Sequence, residues 1–203
     1  MTIEKHQLWG VPGPLPPDGV AVHSDAEARA LVESARRSGA SVPVLGLLGG
    51  DLAKTVGGRG DIARLRSAEA MTLPVDLGSV LIDGRLHWFV AHLVVRRRWW
   101  RGRAVVVMNA QWIGRWDAAP KSHPNDGLLD VFDGRLSFDD RLKARKRLVT
   151  GTHVPHPGIA QRRVAALQLT FDKPTPVWLD GVRVASASTL SVRVEPDALS
   201  CVV

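Results

Sequence analysis

Ser24–Gly57 reads SDAEARALVESARRSGASVPVLGLLGGDLAKTVG, a helix, a strand and a second helix start in succession. Ser24 and Glu27 form a Ser-x-x-Glu capping box. Ala28, Leu31, Val32 and Ala35 then recur at helical spacing, which gives one apolar face to a helix from Asp25 to Arg37 that stops at Gly39. Val42 to Leu48 is apolar and predicts a buried strand. A short apolar run, Val20 to His23, precedes the helix. Together they predict a β-α-β unit with parallel strands and a crossover helix. Gly49-Gly50-Asp51 opens a second helix, Asp51 to about Val56, closed by Gly57-Gly58. A strand running into glycines and a helix N-terminus gathers backbone N–H groups where the helix dipole favours negative charge. Phosphate contact and a plain strand-to-helix turn both fit these residues.

Upstream, residues 1–19 hold Gly10, Pro12, Gly13, Pro14, Pro16 and Pro17, an extended, turn-rich lead-in. Downstream, the texture changes at Leu73. Val75 to Ile82 and Leu86 to Val95 flank Asp83-Gly84, which predicts a hairpin. Ala104 to Met108 and Gln111 to Trp116 follow as strands. The polar run Lys121 to Gly127 ends in an Asn-Asp-Gly turn and gives way to the apolar run Leu128 to Phe132. Asp133-Gly134 predicts another turn, Arg135 to Phe138 a strand, and Asp139 the cap of a basic helix from Asp140 to Val149. Val164 to Phe171, Val177 to Leu179, Val182 to Ala185 and Leu190 to Val194 complete the strands. The expected fold class is α/β followed by β: a short β-α-β-α part over residues 1–72, then a mostly antiparallel sandwich or barrel over residues 73–203.

The 203 residues are enough for one core or two small domains sharing an interface. Apolar content of 45% and charged content of 23% describe an ordinary globular protein. No apolar run approaches the roughly 20 residues of a membrane span. The N-terminus lacks the layout of a signal peptide and Cys201 is the single cysteine, so the cytoplasm is the expected location, with peripheral attachment to a membrane also open. Net charge of +7 favours anionic partners: nucleotides, nucleic acid or acidic lipid. Self-association into a homo-oligomer is left open.

The densest charge cluster is Arg96-Arg97-Arg98-Trp99-Trp100-Arg101-Gly102-Arg103. Interleaved Arg and Trp suit bases or an anionic membrane surface, and equally a solvated loop. No nucleic-acid reading module accompanies it. His153 and His156 are too few for a zinc site, and Pro155 and Pro157 keep them from pairing on a helix. Asp180-Gly181 suits a hairpin turn between Val177–Leu179 and Val182–Val184.

Three stretches, in order, resemble the bacterial diacylglycerol kinase family of lipid kinases. Leu45-Gly-Leu-Leu-Gly-Gly-Asp-Leu-Ala-Lys-Thr-Val-Gly57 is similar to that family's second glycine loop, with Asp51, Ala53, Thr55 and Gly57 matching it. Pro124-Asn-Asp-Gly-Leu-Leu-Asp-Val131 is similar to its Asp-Gly-Leu-Leu-Asp segment. Trp178-Leu-Asp-Gly-Val182 resembles its Leu-Asp-Gly-Glu turn, followed by Val194–Leu199. The resemblance implies a nucleotide domain and a β-sandwich with a cleft between them, and transfer of the ATP γ-phosphoryl group to a lipid hydroxyl. It places Gly49, Gly50 and Asp51 at the phosphates, Asp180 as base facing them across the cleft, and Asp126 with the Leu128 carbonyl at a structural magnesium. ATP and magnesium would be the cofactors, and lipid or an anionic membrane surface the partner.

The sequence also departs from the family pattern. The first glycine motif, Gly-Gly-Asp-Gly-Thr, has no counterpart, so the nucleotide part is expected to be shortened. Val182 replaces the third motif's glutamate, and His123 replaces an acidic residue expected three positions before Asp126. These departures leave a non-catalytic relative that binds lipid or protein as the alternative, and a basic nucleic-acid-binding protein as a further one.

Overall fold

The computed structural model describes residues 9–98 and 101–203. The chain begins with β1 (Val11–Pro12) and β2 (Val20–Val22), followed by α1 (Asp25–Ser38). Ser24 caps α1 by accepting the Glu27 N–H, and Gly39 ends it in the left-handed region at φ 72°. Ala28, Val32 and Ala35 are buried on one face, as the periodicity requires. The capping glutamate reaches one residue further back than a capping box demands, taking the N–H of His23 at 2.7 Å. β3 (Leu45–Leu47) is shorter than the apolar run suggested and pairs in parallel with β2. α2 (Asp51–Thr55) and α3 (Ile62–Leu65) then lead into the strands.

β4 (Met71–Ile82) and β5 (Arg85–Phe89) form the expected hairpin, with Asp83 and Gly84 both at positive φ. The predicted strand Leu86 to Val95 is cut in two: β5 ends at Phe89, and β6 (His92–Arg96) begins after a two-residue break. The break exists because the N–H groups of Val90 and Ala91 leave the ladder for a side chain described below. β7 (Ala104–Met108) is followed by a small hairpin of β8 (Trp112–Ile113) and β9 (Trp116–Asp117) where one strand was expected.

β10 (Leu129–Gly134) runs straight through Asp133-Gly134, so the turn predicted there is absent. Those two residues have ladder partners on both sides, Val105 and Ala104 on one, Ala160 and Ile159 on the other. The strand predicted for Arg135 to Phe138 is absent too. α4 (Phe138–Arg147) starts earlier than expected and is capped by Ser137, whose hydroxyl accepts the Asp140 N–H, in place of Asp139. β11 (Ile159–Val164), which the sequence reading missed, precedes β12 (Ala166–Leu179) and β13 (Val182–Val202).

The sheet runs β1-β4-β13-β12-β6-β7-β10-β11, antiparallel along that path. β12 shifts register between Thr170 and Thr175, and its far end gains β6 as a second neighbour. Such irregularities bend a strand and let a sheet fold over itself. Val80 of β4, Leu93 of β6, Val107 of β7, Val131 of β10 and Leu190 of β13 therefore meet in one core, which makes the fold sandwich-like. The Phe89 ring presses against Gly78, where a Cβ would come within 2.1 Å of it. After a second shift between Glu195 and Leu199, the end of β13 pairs in parallel with β3, so the β-α-β unit joins the same sheet. Val22, Val32, Leu45, Leu52, Leu73 and Cys201 form the core at that junction. Among the described residues no helix is long and apolar enough to cross a membrane.

Candidate functional site

The junction between the β-α-β unit and the sandwich gathers ionisable side chains. Asp25, the first residue of α1, turns its carboxylate onto the start of α2 and accepts the N–H of Asp51 at 2.5 Å and of Leu52 at 3.1 Å. These are the groups that a helix leaves without internal partners. The glycines before α2 fit that contact. Gly50 sits at φ 102°, and a Cβ there would lie 2.5 Å from the Asp25 carboxylate. A Cβ on Gly49 would lie 2.5 Å from the His23 carbonyl. Both residues are glycine because chain from the β2–α1 turn presses against them.

Asp180 occupies the turn between β12 and β13, at φ 49° with Gly181 at φ 80°. Its carboxylate accepts the N–H groups of Val90, Ala91 and His92 at 2.9–3.0 Å, and its own N–H donates to the His92 carbonyl. Arg29, one turn along α1 from Asp25, brings its Nε to 3.9 Å from Asp180 and its Nη1 to 3.4 Å from Glu33. His92 Nδ1 is 3.6 Å from the Asp51 carboxylate, whose other oxygen accepts the Gly114 N–H at 2.7 Å.

Burial governs how these groups hold protons. It raises the Asp25 carboxyl, against the pull of its N–H bonds to α2. Burial pushes Asp51 up to about 6, aided by the nearby Asp25 charge. Asp180 is pushed up to about 7, again by burial first. Burial pushes His92 down to about 4, so it is neutral at neutral pH.

The structure thus brings Asp51 and Asp180 into one neighbourhood, with Asp25, Arg29 and His92 filling the ground between them. Among the described residues, the Asp180 carboxylate is closed off from solvent and does not face an open cleft. The Asp180 side chain is 0% exposed. A surface cavity of about 810 Å³ lies elsewhere, lined by Arg36, Ser79, Leu81 and Arg193 among others, and touches neither Asp180 nor Gly49–Asp51. Asp25, Arg29 and His92 were not singled out in the sequence. Their roles depend on contacts across 26 or more residues, and local spacing carries no signal for those.

A second cluster surrounds the Asn125-Asp126-Gly127 turn. Asp126 accepts the Leu128 N–H at 3.0 Å and its other oxygen is bonded by Arg163 from β11. Arg163 Nε also lies 3.5 Å from Asp130, whose side chain is only 2% exposed. Asp76, which the sequence reading overlooked, holds the turn by accepting the Gly127 N–H at 2.7 Å and the Asp197 N–H at 2.9 Å. A magnesium ion at Asp126 would need oxygen ligands free to turn inward. The Arg163 guanidinium stands there, and among the described residues no group of three or more His, Cys, Asp or Glu side chains is placed to hold a metal. Arg163 thus faces the Asp126 carboxylate, while both buried carboxylate oxygens of Asp130 are without a hydrogen-bond partner. At the α2 N-terminus, Asp25 takes the Asp51 and Leu52 N–H groups.

The remaining candidates are dispersed. Arg97, Arg98 and Arg101 are exposed, whereas Arg103 pairs with Asp133 at 2.7 Å and Arg96 stacks 4.5 Å over Trp178. Trp99 and Trp100, the aromatic half of that cluster, lie outside the described residues. His153 is buried beside Phe132, and His156 bonds the Gly158 N–H.

Residues 69–203 match the family described as the YegS C-terminal NAD kinase beta sandwich-like domain. The chain belongs to this family. None of the curated proteins matches the chain in sequence. Among solved structures, the YegS C-terminal-type fold of this chain is similar to "A putative diacylglycerol kinase from Bacillus anthracis str. Sterne", with 13% identity, a TM-score of 0.65, and coverage of 91% of this chain and 77% of that one. A further structure of a diacylglycerol kinase from the same organism aligns at 14% identity and a TM-score of 0.56, covering 79% of this chain and 66% of that one. The motif resemblance to diacylglycerol kinases and the sandwich expected from the strand pattern agree with both comparisons.

Proposed function

We propose that the chain acts as a non-catalytic, lipid-associated member of the diacylglycerol-kinase-like family. The observation that carries this reading is the Asp25 carboxylate on the N–H groups of Asp51 and Leu52. Phosphoryl transfer is mostly positioning and charge stabilisation, and it needs backbone donors free to cradle phosphate. The Asp25 side chain already holds them, so a phosphate would have to displace it. The residue expected to act as base is enclosed, and a base must come within hydrogen-bond reach of the hydroxyl it deprotonates. The net charge of +7 and the exposed Arg97, Arg98 and Arg101 support an anionic lipid surface as the partner.

Thermal unfolding with and without ATP and magnesium tests the reading. A ligand at a hundred times its Kd adds about 2.7 kcal/mol of stability. No ATP-specific rise in Tm is expected, and a saturable rise would contradict the proposal.

A second reading rests on proton affinity. Asp51 near 6 and Asp180 near 7 lie where a general base works best. In that reading the chain is a latent lipid kinase using ATP and magnesium, with a partner displacing Asp25 and supplying further phosphate-binding groups.

A further inference from the structure

We infer that α4 and the arginine loop before β7 form a single docking face for the surface of an acidic lipid bilayer. The two elements are distant in sequence and adjacent in space: Arg141 of α4 donates to the Gly102 carbonyl of the loop. α4 carries Arg141, Lys143, Arg145, Lys146 and Arg147 against only Asp139 and Asp140, both in its first turn. There they oppose the positive helix end and leave the rest of the helix cationic. Ala144 is its one buried residue, so the edge that carries it faces the protein and the opposite side faces out.

That outer side is not simply charged. Phe138 is 55% exposed and Leu142 39% exposed, with the exposed Lys146 next along the same stripe at four-residue spacing. Val149, just past the helix, is 49% exposed. Single exposed apolar residues need no explanation. Here they lie in a row flanked by cations, and the exposed Arg97, Arg98 and Arg101 extend the charge beyond the helix. Apolar side chains beside Lys and Arg on a surface helix suit the headgroup boundary, where the rings and aliphatic chains enter the acyl region and the cations meet lipid phosphates. A nucleic acid would use the cations but give Leu142 and Val149 nothing apolar to enter. This inference rests on the lipid-associated reading and not on the closure of the Asp25 site, and vesicles are therefore measured without ATP.

The test is co-sedimentation with vesicles of phosphatidylcholine alone and of an equal mixture with phosphatidylglycerol, at low and high salt. Three proteins are compared: the native chain, Lys146→Glu with Arg147→Glu, and Phe138→Ser with Leu142→Ser, each checked for an unchanged circular dichroism spectrum. The native chain is expected to bind the acidic vesicles only, and less as salt rises. Charge reversal should weaken binding at least about tenfold, since each basic residue near such a surface contributes about a factor of five. The Ser pair should weaken it several-fold with charge unchanged, which a purely electrostatic contact would not show. Acidic-vesicle binding that both variants retain would overturn this face while leaving lipid association standing. No vesicle binding by the native chain would overturn both. Tighter binding to an oligonucleotide than to acidic vesicles, indifferent to the Ser pair, would assign the face to nucleic acid and overturn the inference.

Discussion

Asp25 caps a helix 26 residues away from itself: its carboxylate takes the Asp51 N–H at 2.5 Å and the Leu52 N–H at 3.1 Å. One side chain thereby ties the start of α1 to the start of α2 and fills the place where the family resemblance puts phosphate. Asp25→Ala should lose about 1–2 kcal/mol, the usual cost of a lost cap. The freed N–H groups should then take up an added anion. Tripolyphosphate is expected to raise the Tm of Asp25→Ala more than that of the native protein at matched ionic strength. Equal responses would show that the carboxylate does not block an anion site.

The buried Asp180 makes stability depend on pH with a definite sign. Its folded value of about 7 lies above the ordinary 3.9 or so, so the folded state holds the extra proton between those values. Its contribution is fully present near pH 4 and is lost as pH rises through about 7. Asp180→Asn cannot titrate, and His92 is common to both proteins. The Tm advantage of the native protein over Asp180→Asn should therefore shrink from pH 5 to pH 8, by roughly 2–3 kcal/mol at most. An advantage that stays constant from pH 5 to pH 8 would mean that the three N–H bonds keep the carboxylate ionised throughout.

Arg163 joins two carboxylates, Asp126 and the nearly buried Asp130. The native protein should accordingly melt at the same temperature with a chelator or with added magnesium. Arg163→Ala leaves the two anions facing each other and should cost about 1–3 kcal/mol, less than a fully buried pair because the guanidinium is partly solvated. Magnesium or calcium should restore part of that loss in the variant alone. A chelator-sensitive native Tm would instead place a cation at this turn.

The sequence announced the elements that local chemistry determines. Ser24 and Gly39 bound α1 as their side-chain and backbone preferences require, and the Asp83-Gly84 and Asp180-Gly181 hairpins adopt the positive φ values that those pairs favour. The same dipeptide at Asp133-Gly134 misled, because β7 and β11 both offer ladder partners and tertiary pairing overrides turn preference. Ser137 displaced Asp139 as the α4 cap because Asp140, three residues on, bonds back to its hydroxyl. At the site, Asp51 and Asp180 were legible as motif residues. What surrounds them was not, since Asp25, Arg29 and His92 arrive from α1 and β6 through contacts fixed only when the sheet folds over.

The most direct test of the central claim is lipid phosphorylation by the purified chain, with labelled ATP, magnesium and a mixed lipid extract. Loss of a general base typically lowers a rate about 10²–10⁴-fold, so Asp180→Asn serves as the control. The closed site predicts no labelled lipid above background from the native chain, and no difference between it and Asp180→Asn. Labelled lipid that accumulates with the native chain and disappears with Asp180→Asn would contradict the account and make the chain a working lipid kinase.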